Sequence, residues 1–167
     1  VFREPIVGGL REEFVGTRRT VQFFAQPHGE MSMFKRPQPG IPYVIGADVA
    51  QGGDTVVADP DFSVACALDQ NIGEQVAVVR ERMTPSAFGQ YLYDLGRFYN
   101  WAYINIEVNF EVGTLEELLR MGYPVHLIYR RPGAVDQQGK GEGRGLLGWK
   151  TTTVTRPRLI SKLDTAF

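Results

Sequence analysis

Short apolar runs separated by turn residues predict a series of strands in the middle of the chain. One run rich in β-forming residues begins at Tyr43, and similar runs begin at Phe62 and Gln75. Gly73 follows Asn71 between the second and third runs, where a glycine favours a tight turn. The three runs are therefore expected to be consecutive strands, the last two joined by a hairpin.

Apolar residues at three- and four-residue spacing predict helices farther along. Thr84 followed by Pro85 is a typical helix start, because the Thr side chain accepts an amide hydrogen bond and Pro lacks the amide hydrogen that the first turn leaves unsatisfied. A second helix is predicted over residues 113–121 and ends at Gly122. A last helix is predicted to begin near Thr155.

Two further apolar runs, one from Ala102 and one over residues 124–130, complete a predicted order of β-β-β-α-β-α-β-α. Such an order implies a mixed α/β sheet covered by helices. It is the order of the ribonuclease-H-like fold, in which the first strand lies at the centre of the sheet beside the fourth. Residues 1–40 are rich in Gly, Pro and Arg and are expected to be an extended lead-in or linker, with the folded domain over residues 41–167.

Length and composition narrow the class of protein. The 167 residues suit one globular domain, and no apolar run approaches the roughly 20 residues that cross a membrane. Cys66 is the only cysteine, which excludes an internal disulfide and a cysteine-ligated zinc site, and a reducing cytoplasm is the expected compartment. The chain does not begin with methionine, and we expect it to be a piece of a longer polypeptide.

Carboxylates at strand ends are the strongest chemical signal. Asp48 lies in the middle or at the end of the first apolar strand, Glu107 at the end of the fourth, and Asp61 opens the second. Acids on neighbouring strand ends repel each other unless they share a cation, and Mg²⁺ and Mn²⁺ prefer oxygen ligands. The pattern therefore indicates a divalent metal site. The alternative is that the acids are unrelated and accept hydrogen bonds from loop amides.

Three separated segments resemble the nuclease domain of the large terminase subunit of tailed phages. IPYVIGADVAQG followed by DPDFSVACALD resembles its first hairpin. INIEVN, with the following helix and GYPVHLIYR, resembles the strand that carries its second acid. GWKTTTVTRPRLISKL resembles the segment before its final acidic motif. The resemblance covers about residues 31–167.

This resemblance implies an endonuclease that cuts concatemeric double-stranded DNA during viral packaging, through two Mg²⁺ or Mn²⁺ ions. It assigns Asp48 and Glu107 to the two strand acids and Asp61 to an additional metal-site aspartate. The family's third acid is expected beyond Phe167, since Asp164 is expected to be a solvent-facing helix residue. The implied surroundings are an upstream ATPase domain, a portal and a small terminase subunit in the cytoplasm of the bacterial host, without a membrane.

Basic residues concentrate in the last part of the chain. From His126 onward eight Lys and Arg residues face three Asp and Glu residues, a net +5, which leaves −6 for the first 125 residues. A glycine-rich segment with interspersed cations suits a loop that follows a DNA backbone without reading bases. An ordinary exposed loop would also explain these charges. The candidate DNA-binding residues are Arg130, Arg131, Lys140, Arg144 and Lys150.

Three other functions compete with the terminase nuclease. A Holliday-junction resolvase or a transposase-like nuclease would keep the fold and the acids but bind branched DNA. An actin-like ATPase would need glycine soon after Asp48, where Val49 and Ala50 stand. A non-catalytic DNA-binding or docking module would follow if the parent protein had no third acid. No phosphate-binding GxxxxGK[ST] motif is present, so this chain is not expected to hydrolyse ATP.

Overall fold

The computed structural model describes residues 4–50, 61–108, 112–131 and 146–157. Within these ranges one seven-stranded sheet runs through the molecule in the order β2-β1-β3-β6-β5-β4-β7. The strands are β1 (Ile6–Val15), β2 (Arg18–Ala25), β3 (Met31–Met33), β4 (Tyr43–Asp48), β5 (Ser63–Asp69), β6 (Gln75–Glu81) and β7 (Tyr103–Ile106). The helices include α1 (Pro85–Phe98) and α2 (Gly113–Arg120), with a 3₁₀ turn over Val125–Leu127. Residues 155–157 are also helical, in agreement with the helix start predicted near Thr155.

Strands β4, β5 and β6 are the three consecutive strands predicted from the sequence, and they pair antiparallel in that order. Gly73 has a φ of 68° in the turn before β6, a conformation that glycine adopts without steric cost. Strand β7 pairs parallel with β4, with Ala47 opposite Ile106. The prediction that the first and fourth strands are neighbours in the sheet is therefore confirmed.

The segment before residue 41 belongs to the sheet, so the expectation of a lead-in outside the folded domain is wrong. Strands β1 and β2 form a hairpin, and β3 joins that hairpin to β6. Met31 and Met33 of β3 are buried in the common core, which explains why this glycine- and arginine-rich segment is ordered. Because three strands are added on the β6 side, β4 lies near one edge of the seven-stranded sheet and not at its centre.

Helix α1 begins as predicted and covers one face of the sheet. The Thr84 side chain accepts a hydrogen bond from the amide of Ala87 at 3.2 Å, and Pro85 is the first helical residue. Phe88, Leu92 and Leu95 are fully buried in the core cluster. Burying each of these side chains contributes on the order of 2 kcal/mol, and this burial fixes α1 against the sheet.

The predicted fifth strand over residues 124–130 is only partly formed. Its first half is a 3₁₀ turn, in which the amide of Leu127 donates to the carbonyl of Pro124 at 2.9 Å. Pro124 has no amide hydrogen to give to a neighbouring strand, which accounts for the irregular start. Beyond the turn, Ile128 forms a single parallel bridge to Ile104, and Arg130 pairs with Leu147.

The two faces of β4 have different surroundings. Tyr43, Ile45 and Ala47 are buried against the helix layer, whereas Gly46 and Asp48 on the opposite face are exposed. This opposite face is called the open face below. Among the described helices none is long and apolar enough to cross a membrane.

Candidate active site

Asp48 and Glu107 lie side by side at the carboxyl ends of two parallel strands. The last paired residues are Ala47 and Ile106, and the amide of Glu107 donates to the carbonyl of Ala47 at 2.9 Å. Both paired residues are buried, so each following acid projects from the open face. The sequence prediction that these two acids share one end of the sheet is met by this geometry.

A shallow cavity of about 260 Å³ lies over these strand ends. It is lined by Gly46, Ala47, Asp48, Val64, Cys66, Asn105, Glu107 and Trp149. A Cβ added at Gly46 would meet no atom within 4 Å, so this position leaves open space in the lining of the cavity. The cavity therefore combines two carboxylates with a largely apolar wall.

The pKa of the Asp48 carboxyl is raised above its ordinary value, first by partial burial and then by the negative charges of Glu107 and Asp61. A backbone hydrogen bond at Val49 opposes the shift without cancelling it. Asp61 is thus close enough to act electrostatically on Asp48 although it precedes β5. The three predicted acids lie in one region of negative potential, and this potential would favour a bound cation.

The described acids do not by themselves form a complete set of metal ligands. Within the described ranges no three His, Cys, Asp or Glu side chains are close enough together to hold a metal ion. Asp48 and Glu107 form the centre of the site, and Asp61 contributes less than Glu107 to the raised pKa of Asp48. Such a donor set still fits Mg²⁺, which is commonly bound through one or two carboxylates and keeps several waters.

Asn105 adds a polar group that the sequence did not single out. It is opposite Gly46 in the β4–β7 register and lines the cavity two residues before Glu107. Its Oδ1 atom is buried and, within the part of the chain that the structure describes, has no hydrogen-bond partner. The alternation along β7 could have indicated Asn105, because residues two apart on a strand share a face.

The segment around Trp149 closes the cavity beside β7. The amide of Trp149 donates to the carbonyl of Ile106 at 2.7 Å, and the amide of Val108 donates to the carbonyl of Trp149 at 2.8 Å. Gly148 has a φ of 78°, and a Cβ there would lie 2.9 Å from the Ile106 carbonyl oxygen. The backbone of Trp149 thus anchors its segment to the sheet, and the residue also forms part of the cavity wall.

Three of the five candidate DNA-binding cations are described, and they lie on the β7 side of the acids. Arg130 is exposed and pairs with Leu147, while the amide of Arg131 donates to the carbonyl of Leu146 at 3.0 Å. Lys150 is exposed directly after Trp149. The two remaining candidates, Lys140 and Arg144, lie outside the described residues, and so does Asp164.

Cys66 is half-buried and lines the cavity. Partial burial raises the pKa of its thiol. A raised pKa reduces the thiolate fraction at neutral pH, which disfavours a role as nucleophile. The Cys66 side chain is therefore part of the apolar wall.

The comparisons with known proteins point to one group of structures. No family model matches the chain, and no curated protein does. The large terminase nuclease from thermophilic phage G20c with bound magnesium is 21% identical with a TM-score of 0.57, over 83% of this chain and 60% of that one. The same nuclease with bound cobalt is 21% identical with a TM-score of 0.56, and the match covers 83% of this chain and 60% of that one.

The Thermus phage P74-26 large terminase nuclease domain is 26% identical over 59% of this chain and 47% of that one, with a TM-score of 0.46. The chain spans about half to three fifths of the length of these solved structures. The two longer matches confirm the α/β, ribonuclease-H-like sheet predicted from the sequence. This chain therefore has the fold of the large terminase nucleases.

Proposed function

We propose that this chain is the nuclease domain of a phage large terminase and cuts double-stranded DNA with divalent metal ions. The observation that carries the proposal is the Asp48 and Glu107 pair at adjacent parallel strand ends, with the pKa of Asp48 raised by burial and then by its acidic neighbours. The fold of the solved terminase nucleases, some of them with magnesium or cobalt bound, supports the same proposal.

In this proposal the carboxylates hold the cation and orient the substrate. Asp48 lies between Glu107 on β7 and the start of β5, so it is the residue best placed to serve two ions. Glu107 and Asp61 would be terminal ligands or would position a water molecule. A bound Mg²⁺ or Mn²⁺ pair would supply an activated water nucleophile and would stabilise the departing 3′ oxygen.

The DNA substrate and the assembly partners follow from the same proposal. The cations at Arg130, Arg131 and Lys150 lie on the β7 side of the acids, where they could hold a phosphate backbone. In the parent protein, the upstream ATPase domain, the portal and the small terminase subunit remain predictions. The same holds for a third acid beyond Phe167 and for the host cytoplasm as the compartment.

Nicking of supercoiled plasmid in Mg²⁺ or Mn²⁺ tests the proposal, with the parent chain extended past Phe167. Asp48→Asn and Glu107→Gln should each reduce the rate by more than the roughly 10- to 100-fold typical of residues that only support a metal ligand. Glu13→Gln is the matched control, because Glu13 is an exposed acid on β1 of the same sheet. Wild-type rates in both site variants would refute the proposal.

The choice of DNA separates this proposal from a junction resolvase. A terminase nuclease should cut linear duplex as readily as a four-way junction of the same sequence. A strong preference for the junction would favour the resolvase alternative, with the same acids retained.

A further inference from the structure

Two arginines share one aromatic ring beside the acidic site. The guanidinium carbon of Arg80 lies 3.4 Å from the centroid of the Phe62 ring, and that of Arg82 lies 4.4 Å from it. Phe62 directly follows Asp61, and both arginines are exposed. We call Arg80 and Arg82 the arginine pair. Neither arginine lies in the glycine-rich segment or in the segments that carry the three acids.

The strand register places the arginine pair on the same face as the acids. Asp48 is opposite Val64 on β5, and Val64 is opposite Arg80 on β6. Residues directly opposite each other in an antiparallel sheet project from the same face. Glu107, Asp48, Val64 and Arg80 therefore form one row across the open face. With neighbouring strands about 4.8 Å apart, the backbone of Arg80 is roughly 10 Å from that of Asp48.

At this distance Arg80 lies outside the acid pair but on the same face of the sheet. Val64 on β5 stands between Asp48 and Arg80 in the row, so Arg80 is not a direct neighbour of the acid pair. It stands one strand beyond Val64, where a positive charge would meet the substrate and not the metal.

Stacking on a ring prepares a guanidinium to bind an anion. The interaction uses the flat face of the group, whereas its N–H donors point outward in the plane of the group. An arginine held in this way loses less conformational freedom when it donates two parallel hydrogen bonds to a phosphate. Two such groups on one ring form a compact cationic surface whose best partner is a phosphodiester backbone.

We propose that the arginine pair binds the DNA backbone on the β6 side of the cleavage site, opposite the cations of the β7 side. The acids then lie between two phosphate-binding surfaces, so the strand to be cut would be held on both sides of the scissile bond. This inference rests on the proposed function. Recognition is through phosphates and is therefore independent of base sequence.

Arg80→Gln/Arg82→Gln in the full chain tests the inference through binding of a labelled duplex, measured by fluorescence anisotropy in EDTA. We expect affinity to fall by at least about 10-fold at 100 mM salt. We also expect the slope of log affinity against log salt to become shallower by about 1.8, at about 0.9 for each lost phosphate contact. Arg11→Gln is the matched control, because Arg11 stacks on Phe24 at 5.5 Å in the distant β1–β2 hairpin.

Two further measurements exclude a purely structural effect. Arg80→Lys/Arg82→Lys keeps the charge, so it should restore most of the salt slope if the chain binds phosphates there. The melting temperature and the affinity for Mn²⁺ should match those of wild type in both double variants, since neither arginine belongs to the acid pair. A Gln variant that binds duplex with wild-type affinity and salt slope would overturn the inference.

The outcomes separate this inference from the proposed function. If wild type binds duplex through the arginine pair but does not cleave when extended past Phe167, the nuclease proposal fails and the binding surface stands. If wild type cleaves and the Gln variant behaves like Arg11→Gln, the nuclease proposal stands and the binding surface is refuted. If wild type does not bind duplex, both are refuted.

Discussion

Asp48→Asn should stabilise the metal-free protein at neutral pH. The pKa of Asp48 is raised by burial and by two acidic neighbours, which means that folding penalises the ionised form. The protonated form carries no such penalty. The free energy of unfolding therefore has its full value below the unfolded pKa of about 4 and decreases as pH rises through the pKa of the folded state. Asparagine keeps the shape and cannot ionise, so the substitution removes the penalty.

The magnitude follows from the strand spacing. Acids on adjacent strands about 4.8 Å apart place their charges roughly 5 Å from each other. At that separation the repulsion is about 0.8 kcal/mol in water and about 3 kcal/mol at an effective dielectric constant of 20. Asp48 is exposed, which favours the lower part of this range. A gain of about 1 kcal/mol corresponds to a rise of roughly 2–4 °C in melting temperature for a domain of this size.

Thermal unfolding in EDTA at several pH values measures this effect. The advantage of Asp48→Asn over wild type should be largest near pH 7.5 and should vanish below about pH 4. Glu13→Gln is the control for removal of a surface charge. A melting temperature lowered by Asp48→Asn at pH 7.5 would refute the reasoning, because it would identify Asp48 as a structural acceptor for loop amides.

Three further predictions concern packing, acid stability and DNA binding. Gly89→Ala should destabilise the protein by about 1–3 kcal/mol in urea unfolding, because a Cβ there would lie 2.8 Å from the Cβ of Glu117 on α2, and a loss below 0.5 kcal/mol would contradict this. Hydrogen bonds from Arg120 and then Gln90 lower the pKa of Glu117 to about 2, so the stability that ionised Glu117 contributes is present above pH 4.5 and is lost as pH falls toward 2. Glu117→Gln should therefore reduce the loss of stability between pH 4.5 and pH 2, and an unchanged loss would contradict this assignment. Neutralising Arg130 and Arg131 together with Lys140 and Arg144 should weaken duplex binding without altering far-UV circular dichroism, and retained affinity or a strong base preference would refute the loop surface.

Much of the site could be predicted because its acids are local sequence features. Asp48 and Glu107 each end an apolar run, and the strand order alone places those two ends side by side. The start of α1 was equally readable, since Thr84 and Pro85 have specific roles in the first helical turn. Signals of this kind depend on a few neighbouring residues and are therefore visible without tertiary contacts.

The missed features depend on contacts distant in sequence. Strand β3 is only three residues long and is stabilised by pairing with β1 on one side and β6 on the other, so its own sequence gives little sign of a strand. The arginine pair could not be predicted for a related reason, because Phe62 and Arg80 become neighbours only through the β5–β6 register. Pro124 could have warned against a complete fifth strand.

The central claim is that Asp48 and Glu107 bind a divalent metal ion. Anomalous diffraction from crystals grown in MnCl₂ tests it most directly. We expect a manganese peak within about 2.0–2.3 Å of carboxylate oxygens from both residues. No peak should appear there in Asp48→Asn crystals grown under the same conditions. Wild-type crystals with no manganese between these two carboxylates would contradict the claim.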